Sequence, residues 1–310
     1  MSNEEEMIEL TKDMLGIEGE DDCLTPAKAI FNEEIDKNNI LVLGLNPAGN
    51  KEDVNRENEC DIYLKYVKGD NIELKSKLVY KKYFKPIYDL LSEIYDGNIK
   101  FSWCNIDEKT LEKRLNKYKE YVEKQNKKRK AEYKNENTKN LFEICQKVRK
   151  EKEKKDYTIL IGELFYYHQT SSKDFIKKIN DKDKDFHKNV RDMLDLHIKK
   201  VLSKGGTLEF ILINNARASE YIIEALGKGP ITYCDYQYEY ESHKEIIPIF
   251  FSGMLSNGGE SKYGKQRLIN EIKKRKGIAW PAILKNYNLI CIIKKYKLSC
   301  FLYTRKFLIS

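Results

Sequence analysis

Three short, unbroken apolar runs, each ending abruptly in polar or glycine-bearing sequence, constrain the fold of this chain more than any other feature. They are Ile40–Gly44 (ILVLG), Tyr157–Gly162 (YTILIG) and Leu208–Ile213 (LEFILI). Runs this short, rich in Ile and Leu and lacking alternation, suit strands buried on both faces, as in a parallel sheet. A fourth run, Ile246–Phe251 (IIPIFF), carries Pro248, which cannot donate to a ladder and so points to an edge strand or a bulge. Helix-length segments lie between the runs. Tyr83–Tyr95 places Phe84, Ile87, Tyr88, Leu91 and Ile94 at helical spacing, and Phe186–Leu202 does the same with Val190, Met193, Leu194, Ile198 and Val201 before stopping near Gly205. Strands alternating with helices predict an α/β domain with a central, mostly parallel four-stranded sheet flanked by helices.

With 310 residues, no internal repeat and no Gly/Ser linker, the chain reads as one domain with additions. Charge is strongly segregated along it. An acidic N-terminal segment, residues 1–25, has nine Asp and Glu within its first 22 residues against the single Lys12. Residues 112–156 hold 17 basic and 9 acidic groups with few apolar ones, and predict an inserted Lys/Glu-rich helical pair outside the sheet. Residues 262–306 hold 13 basic groups and only Glu271, so the C-terminal segment 273–310 is basic. Clustered positive charge suits a polyanion partner, because each phosphate neutralised releases counterions. A solvated helix face with a charged tail would give the same pattern.

The seven cysteines include no C-x-x-C pair, so neither a zinc nor an iron–sulfur site is spelled out. The acidic start lacks the basic and apolar regions of a signal peptide, and no apolar run reaches the roughly 18 residues of a membrane span. These features predict a soluble cytoplasmic protein with no membrane partner, no disulfides, no metal and no organic cofactor.

Ligands of parallel sheets bind where loops leave the carboxyl ends of strands, and all four ends here are unusual. The first reads Gly44-Leu45-Asn46-Pro47-Ala48-Gly49-Asn50, with two glycines for close backbone approach and two carboxamides. It matches neither the phosphate loop nor the dinucleotide fingerprint. The second reads Gly162-Glu163-Leu164-Phe165-Tyr166-Tyr167-His168, placing a carboxylate and aromatics directly after a strand. The third, Asn214-Asn215-Ala216-Arg217, puts polar side chains where a core strand would tolerate them only at a cavity. The fourth runs Ser252-Gly253-Met254-Leu255-Ser256 and leads through Lys262, Lys265 and Arg267 into a helix, which suits DNA phosphates.

In this order the four ends resemble the uracil-DNA glycosylase superfamily. GLNPAGN is similar to the family's water-activating motif, in the form of its mismatch-specific thymine/uracil branch. ILIGELFYYHQT resembles the second strand and base-recognition segment, FILINNARASEYI the third strand, and FFSGMLSNGGESKYGKQRLINEI the loop that enters the minor groove with its following helix. The resemblance spans residues 28–272. It departs from the family's pattern at Phe250 and Phe251, where the uracil branch has a His, in one extra residue between Ser252 and Ser256, and at Gly162-Glu163, where the family has a base-reading Asn.

The resemblance implies a monofunctional DNA glycosylase acting on double-stranded DNA with a flipped base. Asn46 would position the attacking water, and Gly44, Leu45, Pro47, Asn50, Glu163 and Asn214 would line the base pocket. Tyr63, Tyr66 or Phe165 would stack on the base. Met254 and Leu255 would form the wedge that offsets unstacking. Ser252, Gly253, Ser256, Lys262, Lys265 and Arg267 would meet the DNA backbone. With no Lys in the first motif before Lys51, no lyase chemistry is implied. The alternative is a nucleic-acid-binding protein that keeps the fold without catalysis.

Overall fold

The computed structural model describes residues 2–24, 35–46, 84–102, 155–169, 171–255 and 260–277. The apolar runs form β1 (Asn38–Gly44), β3 (Tyr157–Glu163), β4 (Thr207–Asn214) and β6 (His243–Ser252). These four are neighbours in the order β3-β1-β4-β6, and every pair is parallel.

Among the described residues the sheet has six strands rather than four. β2 (Ile99–Phe101) adds parallel to β3, and β5 (Tyr233–Tyr240) adds antiparallel to β6 at the opposite edge. Three residues are too few to carry a periodic signal, which hid β2. β5 does carry one, since Tyr236, Tyr238 and Tyr240 are half-buried while Asp235, Gln237 and Glu239 are exposed. That alternation marks a strand with one wet face, unlike the continuous runs of the centre. Its hairpin to β6 turns at Glu241 and Ser242, both left-handed (φ 46° and 69°), as a two-residue turn requires. Pro248 stands opposite Asp235, and β6 meets β4 only from Ile249 onward. The proline therefore sits where β6 has a single neighbour.

Six helices cover the sheet among the described residues: α1 (Asn3–Leu15), α2 (Lys85–Ile94), α3 (Ser172–Lys178), α4 (Phe186–Leu202), α5 (Ala216–Ala225) and α6 (Lys262–Arg275). α4 packs against β4 with α1 and α5 at its sides, while α6 packs on β6 and against α2. Gly162 faces α4. A Cβ there would lie 2.8 Å from Leu43 Cδ2 and 2.9 Å from His197 Nε2, so only glycine allows this approach. Residues one step further along each strand face the other way, toward α6.

The acidic N-terminus is a helix of the core rather than a charged tail. Ser2 and Glu5 form a reciprocal capping box, and Met7 and Met14 are fully buried. Glu4 meets the buried Lys200 of α4 at 2.8 Å, and this bond holds the Glu4 carboxyl below its ordinary range. Of the predicted insertion only residues 155 and 156 are described, and of the basic C-terminal segment only 273–277. Among the described residues no helix is long and apolar enough to cross a membrane.

Candidate functional site

The carboxyl ends of the four parallel strands form one row. Gly44 pairs with Glu163, and Asn214 pairs with Ser252. Leu43 pairs with Ile213, which sets Gly44 beside Asn214 one step on. Side chains in register share a face, so Glu163, Gly44, Asn214 and Ser252 all turn toward the α6 side. Glu163 and Asn214 are buried, at 7% and 0% exposure, and the only residue between them is a glycine. Two strand spacings separate them, about 10 Å. The row therefore carries a carboxylate and a carboxamide on either side of bare backbone.

Asn46, one residue past Leu45, is half-buried and donates from Nδ2 to the Tyr167 carbonyl at 3.2 Å. The strand exits are stapled further by Leu164 N–H to Gly44 O at 3.1 Å and Phe165 N–H to Leu45 O at 2.9 Å. Leu45 itself is core, at 5% exposure. Asn46 thus reaches beyond its own turn. It ties the β1 exit to the β3 exit, and the bond fixes which end of the carboxamide is nitrogen.

The two asparagines after β4 do different work. Asn215 caps α5, its Oδ1 accepting from the Arg217 and Ala218 amides. Asn214 points to the α6 side, where its Oδ1 accepts the Leu255 N–H at 2.8 Å. Its Nδ2 is buried and has no partner among the described residues. Because an amide N–H can bond only to an acceptor, Leu255 fixes the carboxamide with Nδ2 as the outstanding donor.

The loop after β6 corrects several expectations. Leu255 is 1% exposed and belongs to the core, held by the Asn214 bond, so it anchors the loop instead of serving as a wedge. Met254 is half-buried and remains open to that role. Ser252 turns its hydroxyl to Ile213 O at 2.9 Å, a bond between neighbouring strand ends that removes it from any phosphate. Gly253 N–H donates to Glu260 at 3.2 Å. The first turn of α6 already carries an anion: the Glu260 carboxylate lies against Gly264, and the Ser261 hydroxyl caps the Gly264 amide at 3.0 Å.

Lys262, Lys265 and Arg267, the three basic residues expected at DNA phosphates, do not form one track. Lys262 and Lys265 line a groove of about 480 Å³ against α2, whose wall bears Asp89 and Glu93. Arg267 projects from the other flank, about 200° around the helix from Lys265. Phe165 is a core residue, edge-on to Phe175 at 5.3 Å and to Tyr221 at 6.3 Å, so it stacks on no base. Pro47, Asn50, Tyr63, Tyr66 and Ser256 lie outside the described residues.

One residue that the motifs did not single out follows the loop after β6. Tyr263, in the first turn of α6, is 87% exposed. Set between lysines in a polar stretch, it carries no periodic signal; only its exposure marks it. No protein-family model matches the chain, and a search of curated proteins finds no match.

Proposed function

We propose that the protein is a DNA glycosylase of the uracil-DNA glycosylase type, which extrudes a damaged, mismatched or modified base and hydrolyses its N-glycosidic bond. The observation that carries this reading is the row at the strand exits, where buried Glu163 and Asn214 flank Gly44 beside Asn46. A flat base edge needs polar groups at its sides and backbone beneath it, and this is the position at which parallel sheets bind ligands. The order of the four motifs supports the same reading.

In this mechanism Asn214 Nδ2 donates to an acceptor on the extruded base, and a Glu163 carboxyl oxygen accepts from a base N–H. Asn46, oriented through Tyr167 O, holds the water on its Oδ1. The water oxygen bonds to C1′ as the C1′–N bond breaks, and the water's proton ends on the departing base. Met254 fills the gap in the stack, and Tyr263 offers a ring at the mouth for an adjacent base. The chemistry needs water alone.

Asn46→Ala tests the reading. Single-turnover excision on duplexes carrying uracil, mismatched thymine, hypoxanthine or modified cytosines should fall at least about 10²-fold, while DNA binding persists. Melting temperature measured on the same sample separates this from loss of the Tyr167 staple, which would lower activity only in proportion to folded protein. Full excision by a well-folded Asn46→Ala protein would overturn the mechanism. DNA binding without excision of any base by the wild type would leave the non-catalytic alternative.

A further inference from the structure

A second concavity, of about 790 Å³, opens on the flank of α6 that faces β5, and none of the strand-exit residues lines it. Its size falls within the few hundred to about a thousand Å³ of small-molecule sites. The floor is apolar and aromatic, made by Ile231, Tyr233 and Phe250, with the two rings 5.1 Å apart and inclined by 38°. Glu271 forms one wall. Its Oε1 accepts the Thr232 hydroxyl at 3.3 Å, whereas its Oε2 is out of solvent and has no partner among the described residues. A buried carboxylate oxygen without a donor is unfavourable and is relieved by a ligand N–H.

The rim supplies the opposite charge. Arg275 is engaged, bonding Asp235 at 2.9 Å and the Tyr233 hydroxyl at 2.6 Å. Lys274, one residue before it, is exposed and outside that cluster. The concavity thus offers a ring platform, an acceptor in its wall and a cation at its edge. The matching ligand is flat, has N–H donors on one edge and bears an anion on a tether.

We propose that this concavity binds a free guanine nucleotide, with the base on Tyr233, which buried Phe250 backs, its N1–H/N2–H₂ edge toward Glu271 and its phosphate at Lys274. Guanine is selected because its two donors are adjacent. The adenine amine is flanked by ring-nitrogen acceptors, the cytosine amine lies beside one, and uracil N3–H lies between carbonyls. Each of those lone pairs would face the carboxylate and be repelled. The site goes beyond the base excision proposed above and does not depend on it.

Isothermal titration of the full chain with GMP, AMP, UMP and guanosine tests the assignment. GMP should bind at one site, with AMP and UMP at least about tenfold weaker, a difference of about one bond to a charged group. Glu271→Gln should weaken GMP at least about tenfold with melting unchanged. Lys274→Ala should weaken GMP and leave guanosine unaffected. Asn46→Ala should bind GMP as the wild type does, so failure of the excision mechanism and failure of this site read out separately. No GMP binding at about 1 mM, equal binding of all three nucleotides, or an unchanged affinity in Glu271→Gln would overturn the proposal. Competition by a guanine-containing oligonucleotide stronger than GMP itself would overturn the assignment to a free nucleotide.

Discussion

Asn214 accepts the Leu255 backbone N–H on Oδ1 at 2.8 Å while its buried Nδ2 bonds to nothing in the described protein. One side chain therefore anchors the loop after β6 and presents a fixed donor at the strand exits. The two roles separate by substitution. Asn214→Asp keeps the acceptor for Leu255 but replaces the donor with a carboxylate that repels a base carbonyl. At about pH 8, where the carboxylate is ionised, excision should fall at least about 10²-fold with the loop still anchored. Asn214→Ala should also lose about 1–3 kcal/mol of stability, because the Leu255 N–H is left buried without an acceptor. Urea unfolding and single-turnover excision on both variants check this, and equal excision by wild type and Asn214→Asp would remove Asn214 from base reading.

A second prediction concerns pH. His197 of α4 is fully buried, its Nδ1 bonding Met193 O at 2.7 Å and its Nε2 facing the Tyr166 hydroxyl at 2.8 Å. A carbonyl only accepts, so Nδ1 carries the proton and Nε2 accepts from Tyr166. Burial pushes the imidazole down to about 4 from an ordinary 6.5. Between these values the unfolded chain binds a proton that the folded chain refuses, so stability falls as pH falls from about 6.5 toward 4 and is unaffected by His197 above that range. The loss attributable to this residue approaches about 3 kcal/mol. Denaturant unfolding at several pH values should show it in the wild type and show it much reduced in His197→Gln; identical pH profiles would exclude His197 as the source.

Tyr263 allows a third test. With 87% of its surface exposed, its ring has little packing to lose, so Tyr263→Ala should leave the melting temperature within about 1–2 °C of wild type. If the ring stacks on a base at the site's mouth, DNA binding should weaken by about 1–3 kcal/mol. Fluorescence anisotropy on duplex and single-stranded oligonucleotides measures this, and unchanged affinity on both would rule out stacking.

The parts of the fold that could be read in advance share a cause. ILVLG, YTILIG and LEFILI are buried on both faces, so every residue reports burial and the strand shows without knowledge of its neighbours. The helix Phe186–Leu202 shows for a similar reason, its apolar stripe recurring at the helical repeat whatever it packs against. β5 was missed because an edge strand reports burial at alternate residues only, and its Tyr-rich alternation reads as polar sequence. α1 was missed because nine acidic groups in its neighbourhood mask the buried Met7 and Met14.

The sequence by itself determined which segments must leave water and, through the polar residues at their ends, that four strand exits would be unusual. It could not determine what each polar residue does there. Asn214 and Asn215 are adjacent and chemically identical, yet strand alternation turns one toward α6 and the loop after β6 while the other caps α5. Met254 and Leu255 read as an equivalent pair, and only the placement of Asn214 draws Leu255 into the core. Glu163 and Asn214 stand 51 residues apart in the chain, and sheet register alone sets both beside Gly44. Burial is written locally because apolar area is a property of each side chain. The partner of a polar group is a directional contact across the sheet, and it exists only once register and helix positions are fixed.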